Sequence, residues 1–331
     1  MIQSLFLFVF AFAKYFILSG PATQPIQPPA GPGGASYTHQ GVNFQDFAEK
    51  EDGYWLFEPA EPVPDSAHVV VFLHGYGCYN PMIYGKWVRH LVQNGNIVIY
   101  PRYQENLLRP APDKFADNAS KAIRDALAKL RETGHVKPIV THFALVGHSY
   151  GGVIAANLAI HFETYKIPRP KVVMLCSPGT SRLKGGRLDS YAAMPAEVSL
   201  LVMVSQDDWV VGDEFALKVF NEATNVRQRN FLRQFPDDHG EPPIEAHHNL
   251  TYSLDTAFDS GVRNYSARRA LKIGTVDAVD YNGYWKLFDA MLECDRDSTF
   301  CPSAFGDTEE QASLGFWSDG IPVRPLQVIT E

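Results

Sequence analysis

The hydrophobic rhythm of the chain switches repeatedly between a strand-like and a helix-like period. Residues 68–73, His-Val-Val-Val-Phe-Leu, form an unbroken apolar, β-branched run, the pattern of a strand covered on both faces. Residues 96–101 and 143–146 repeat it, and 54–59 reads as an earlier strand that ends at Pro59. Residues 87–93 read as a helix. So do 113–131, with apolar side chains at Phe115, Ala119, Ile123, Ala126, Leu127 and Leu130 and a natural stop at Gly134. A helix follows over 150–162, then strands at 171–176 and 200–204, a helix near 215–220 and a strand at 230–235. The final third is less patterned: 284–292 reads as a helix and the stretch around Trp317 as packed loop. Strands alternating with helices imply right-handed crossovers, so the expected fold class is α/β, a mostly parallel central sheet flanked by helices. The connection from 176 to 200 is too short for a helical cap, which predicts no large cap domain and a fairly open site.

At residues 144–152 an apolar run ends in Gly147-His148-Ser149-Tyr150-Gly151-Gly152, and a helical pattern begins at once. Gly-x-Ser-x-Gly between a strand and a helix is the sequence form of a tight turn that lifts a serine hydroxyl clear of the sheet. Side chains at Gly147 and Gly151 would collide with neighbouring backbone. The helix that follows aims its first N–H groups near the serine, where negative charge develops in acyl transfer. Ser149 is the expected nucleophile.

Serine is a poor nucleophile at neutral pH and needs a base, which in turn needs an orienting acid. In a sheet of this kind they follow in the order Ser, Asp or Glu, His, on loops after successive strands. After 200–204 come Asp207 and Asp208. Asp208, followed by Trp209-Val210-Val211 to pack the loop down, is preferred, with Asp207 second. After 230–235 lie His239, His247 and His248. His239 precedes a glycine and reads as a turn residue; His248 is the preferred base and His247 the second choice. An oxyanion hole needs two backbone N–H donors. Tyr150, after the serine, supplies one and Tyr76, in the loop His74-Gly75-Tyr76-Gly77, the other. His74 itself reads as a brace of that loop.

Composition narrows the partners and the compartment. A net charge of −8 offers no basic face for nucleic acid. Residues 1–20 carry an apolar core of signal-peptide length, interrupted by Lys14, and read as a signal peptide or an N-terminal anchor. If uncleaved, residues 5–18 would attach the protein to a membrane. Residues 21–35 read as a Pro/Gly-rich linker that cannot pack a core, and 36–331 as the folded domain. The expected location is therefore exported: secreted, periplasmic or at the cell surface. Of four cysteines, Cys294 and Cys301 flank a short polar loop and are expected to form a disulfide in an exported protein. Cys176 reads as a buried thiol, and Cys78 lies beside the oxyanion loop. No Cys/His spacing has the form of a zinc site, so no metal is expected.

With these motifs in order, the chain resembles the α/β-hydrolase superfamily over roughly 50–250. Residues 69–77, the Asn80-Pro81 pair, residues 96–104 and the segment 147–152 are similar to bacterial serine hydrolases of the dienelactone-hydrolase, cutinase and chlorophyllase-like kind. The resemblance also favours His248 as the base, and it implies cleavage of carboxylic esters without a cofactor. Dienelactone hydrolases proper use a cysteine nucleophile, so Ser149 speaks against dienelactone as the substrate. Alternatives are a serine peptidase of the same fold or a catalytically inactive surface-binding module. Tyr76, Tyr150 and Trp209 are expected to wall the cleft, and the acidic chain to repel anions at long range. Neutral, hydrophobic carboxylic esters are the expected substrates.

Overall fold

The apolar runs become the middle of a single sheet in the computed structural model, which describes residues 20–108, 110–183 and 185–330. The expected signal peptide or anchor lies outside the described residues, apart from Gly20. The strands are β1 Gly41–Phe47, β2 Tyr54–Ala60, β3 Ser66–Leu73, β4 Asn96–Pro101 and β5 Lys137–His148. They continue with β6 Val172–Cys176, β7 Ser199–Ser205, β8 Gln228–Gln234 and β9 Gln327–Ile329. Their spatial order is β1-β2-β4-β3-β5-β6-β7-β8-β9. From β4 across to β8 neighbouring strands are parallel, whereas β1, β2 and β9 join antiparallel at the two sides.

The sheet is covered on both faces, which is why its central strands are apolar at successive positions. In β3, Val69, Val71 and Leu73 enter one core with the helices α2 Phe115–Lys129 and α3 Tyr150–Ile160. Val70 and Phe72 enter the other core, built with α1 Gly85–Gln93 and the C-terminal helix Lys286–Asp297. Each fully buried aliphatic side chain of this kind contributes roughly 1.5–3 kcal/mol relative to exposure. The β6–β7 connection contains no helix among its described residues.

Several parts of the chain depart from the sequence expectation. The half-exposed β1 and the three-residue β9 lie at the two sides of the sheet and carry little of the apolar signal of the central strands. The helix Tyr265–Ile273 was hidden because its buried face is small, only Ser266, Ala267 and Ala270. Its start is set by Asn264, whose side chain accepts from the Ala267 N–H at 2.9 Å. Residues 21–35 do not hang free as a linker. The Thr23 N–H donates to Ser318 Oγ at 2.9 Å, Gln24 Nε2 to the Pro242 carbonyl at 3.0 Å, and the Gly33 N–H to Asp289 Oδ2 at 2.9 Å. The Tyr281 hydroxyl donates to the Pro25 carbonyl. Prolines have no N–H to satisfy and little backbone entropy to lose, so such a segment lies on a surface once its few polar groups find partners.

Cys294 and Cys301 are joined by a disulfide, while Cys78 and Cys176 are buried free thiols. No described helix is long and apolar enough to cross a membrane.

Candidate active site

Strand β5 ends at His148 and α3 begins at Tyr150, leaving Ser149 alone to turn the chain. It does so at φ 55° and ψ −121°, a left-handed conformation that is costly for a residue with a Cβ. The turn is tight enough to demand its glycines. A Cβ on Gly147 would come within 2.3 Å of the Gly151 carbonyl oxygen, and one on Gly151 within 2.0 Å of the Leu73 carbonyl oxygen. The serine is thereby pushed up at the C-terminal ends of the parallel strands, where open α/β sheets bind ligands.

Two further loops reach it. Ser149 Oγ lies 3.0 Å from His248 Nε2, and His248 Nδ1 lies 2.7 Å from Asp208 Oδ2. All three residues are buried. The other carboxylate oxygen, Asp208 Oδ1, accepts from the Val210 and Val211 N–H groups at 3.0 and 3.1 Å. Burial pushes the Asp208 carboxyl up, but the His248 contact and these two N–H donors outweigh it and hold the group below its usual value. An ionised Asp208 has no proton to give, so His248 carries its hydrogen on Nδ1 and offers an Nε2 lone pair to the Ser149 hydroxyl.

The neighbours that competed in the sequence face elsewhere. The Asp207 N–H is tied to the Ala246 carbonyl at 2.9 Å, which fixes the loop so that Asp208 alone turns towards His248. His247 pairs with Glu245 at 2.9 Å, and His239 pairs with Asp319 at 2.7 Å. Tyr76 and Tyr150 both line the cavity at Ser149, and neither backbone N–H has a partner among the described residues. Trp209 departs from expectation. It is 90% exposed and forms no wall of the cavity; Val210 takes that place. The reason is local: Asp208 caps the turn through Val210 and Val211, which leaves the intervening side chain pointing outward.

His148 and Tyr84 carry a role that the sequence did not reveal. The Gly75 N–H donates to the Tyr84 hydroxyl at 3.0 Å, and that hydroxyl lies 2.8 Å from His148 Nδ1. His148 Nε2 lies 2.8 Å from the His248 carbonyl oxygen. A carbonyl can only accept, so Nε2 holds the proton and Nδ1 accepts from Tyr84. Burial lowers the His148 pKa to about 3, with the nearby His248 adding to the effect, so the ring is neutral. The relay ties the loop of Tyr76 to the loop of His248 through the residue beside the serine. His74 does brace its loop: it is fully buried, touches the Gly75 and Arg102 carbonyls at 2.7 and 2.9 Å and stacks on Tyr103. Burial lowers its pKa to about 4.

The cavity has a volume of about 570 Å³, with Leu107, Leu183, Val210 and Tyr265 among its apolar lining. Cys78 also lines it, but burial pushes its thiol pKa up, which leaves it a poor competitor to the serine. Among the described residues no three His, Cys, Asp or Glu side chains are grouped so as to hold a metal ion.

The family model for chlorophyllase matches residues 57–176, from within β2 to the end of β6. That segment contains the loop of Tyr76 and the turn at Ser149 but stops before Asp208 and His248. No curated protein matches the chain. The strand order, the turn that carries the serine and the match over 57–176 agree: the chain is similar to chlorophyllases over that segment and has the mostly parallel α/β architecture of the α/β-hydrolase fold.

Proposed function

We propose that the protein is an exported serine hydrolase that cleaves carboxylic esters through an acyl-enzyme on Ser149. The observation that carries this reading is the hydrogen-bonded chain Ser149–His248–Asp208 at the edge of an apolar-lined cavity. His248 takes the serine proton as Oγ attacks the ester carbonyl carbon, and Asp208 stabilises the imidazolium so formed. The developing oxyanion is met by the Tyr76 and Tyr150 N–H groups. On collapse the ester C–O bond breaks, His248 gives its proton to the leaving alcohol, and the acyl group stays on Ser149. Water then attacks under the same base, releasing the carboxylic acid and restoring the serine. Similarity to chlorophyllase over 57–176 supports ester chemistry, and the Cys294–Cys301 disulfide is compatible with an oxidising compartment.

The test is hydrolysis of matched p-nitrophenyl esters and anilides, with labelling by a fluorophosphonate probe. Wild type is expected to label and to prefer esters. Ser149→Ala is expected to lose both labelling and essentially all turnover, by about 10⁶-fold. Amide cleavage as fast as ester cleavage would favour a peptidase, and an unlabelled wild type an inactive binding module.

A further inference from the structure

The charge at the cavity runs opposite to that of the whole molecule. The chain has 37 acidic and 29 basic residues, yet no Asp or Glu lines the cavity, whereas Arg182 and Arg269 do. They come from separate elements, Arg182 from the loop after β6 and Arg269 from the helix Tyr265–Ile273. Many other arginines here are already occupied: Arg89 pairs with Asp255, Arg233 with Asp213 and Arg263 with Asp259. The guanidinium groups of Arg182 and Arg269 have no hydrogen-bond or ion-pair partner among the described residues.

A guanidinium is a planar fork of donors that fits the oxygens of a carboxylate or phosphate. Two such forks at one cavity, with no carboxylate to neutralise them, create a local positive field. The net charge of −8 does not cancel that field, because screening confines each exposed charge to about 8–10 Å. Leu107, Leu183 and Val210 offer apolar surface in the same cavity.

Resting on the proposed esterase reading, we infer that the preferred substrate is an ester that also carries an anionic carboxylate or phosphate group, held by Arg182 and Arg269. It departs from the neutral, hydrophobic ester expected from the aromatic loops and the overall charge. The half-ester of a dicarboxylic acid and an acidic lipid share this chemistry.

The experiment compares kcat/KM for p-nitrophenyl hydrogen glutarate and p-nitrophenyl hexanoate at low and high ionic strength. Wild type is expected to favour the anionic ester roughly tenfold at low salt, with the ratio falling as salt screens the pair. In Arg182→Ala/Arg269→Ala the ratio is expected to fall towards one, and in the double Glu variant to invert; the double Lys variant should keep part of it. Both positions are exposed, and circular dichroism checks that the variants fold. In a second arm, wild type and the Ala variant are sedimented with phosphatidylglycerol or phosphatidylcholine vesicles. Arginine-dependent binding to the anionic vesicles without discrimination between soluble esters identifies a lipid headgroup as the anion. No preference in either arm overturns the inference. Hexanoate turnover that survives Ser149→Ala overturns the esterase reading instead, so the two failures are distinguishable.

Discussion

Removing the Tyr84 hydroxyl tests whether the relay behind the serine positions the reacting groups. In Tyr84→Phe the ring keeps its packing against Phe72 and Tyr252, with centroids at 5.0 and 5.6 Å. What is lost is one oxygen that accepts from Gly75 and donates to His148. Both partners are buried, so both become orphans at roughly 1–3 kcal/mol each, a destabilisation of about 2–6 kcal/mol. His148 cannot escape by moving its proton to Nδ1, because Nε2 would then set a lone pair against the His248 carbonyl. Gly75 adjoins Tyr76 and the His248 carbonyl is held by His148, so the proposed oxyanion donor and the proposed base both loosen. A misplacement on the order of 1 Å at such groups costs up to about 10²-fold in rate. The expected result is kcat reduced about 10–100-fold with KM little changed, together with a lower urea midpoint. A variant that loses the expected stability but keeps more than half of wild-type kcat would refute the positioning role and leave the relay purely structural.

Asp208→Asn should cost about 10³–10⁴-fold in kcat, since an amide can leave His248 in the wrong tautomer, while Asp207→Asn should stay within about twofold. The same contrast is expected for His248→Ala against His247→Ala; steady-state kinetics that reverse either pair would move the site by one residue. Replacing Cys294 and Cys301 by serine should cost about 2–3 kcal/mol in chemical unfolding, given the short loop between them. Mapping of unreduced peptides from the protein as isolated should find that bridge intact, and two free thiols would count against both the bridge and export. Burial, helped by the nearby Asp277, raises the Asp280 pKa well above 3.8, so the folded state holds a proton that the unfolded chain releases. Stability contributed by this group is present below pH 3.8 and lost as pH rises through the folded pKa, at up to about 1.4 kcal/mol per pH unit. Asp280→Asn should flatten that loss, so its melting temperature should gain on wild type as pH rises above 3.8; a constant difference would show that Asp280 does not titrate in the folded state.

What the sequence determined by itself was whatever depends on local pattern. Runs such as 68–73 and 96–101 fix central strands, because only a sheet covered on both faces tolerates apolar residues at every position. Gly147 and Gly151 around Ser149 fix the turn, because the backbone there approaches too closely for any side chain. The order of Ser149, the Asp207-Asp208 pair and the 239–248 histidines follows from one chemical loop per strand end. Tertiary structure decided what local pattern does not encode. Asp207 and Asp208 are chemically identical, as are His247 and His248, and only the contacts of Ala246, Val210 and Val211 set which one turns inward. The helix Tyr265–Ile273 and the segment 21–35 owe their places to partners far along the chain, not to a periodic apolar face. His148 meets a carbonyl 100 residues away, and Arg182 meets the same cavity as Arg269 although the chain separates them widely. Periodicity reports whether a side chain is buried; which distant group it is buried against is settled only when the whole sheet closes.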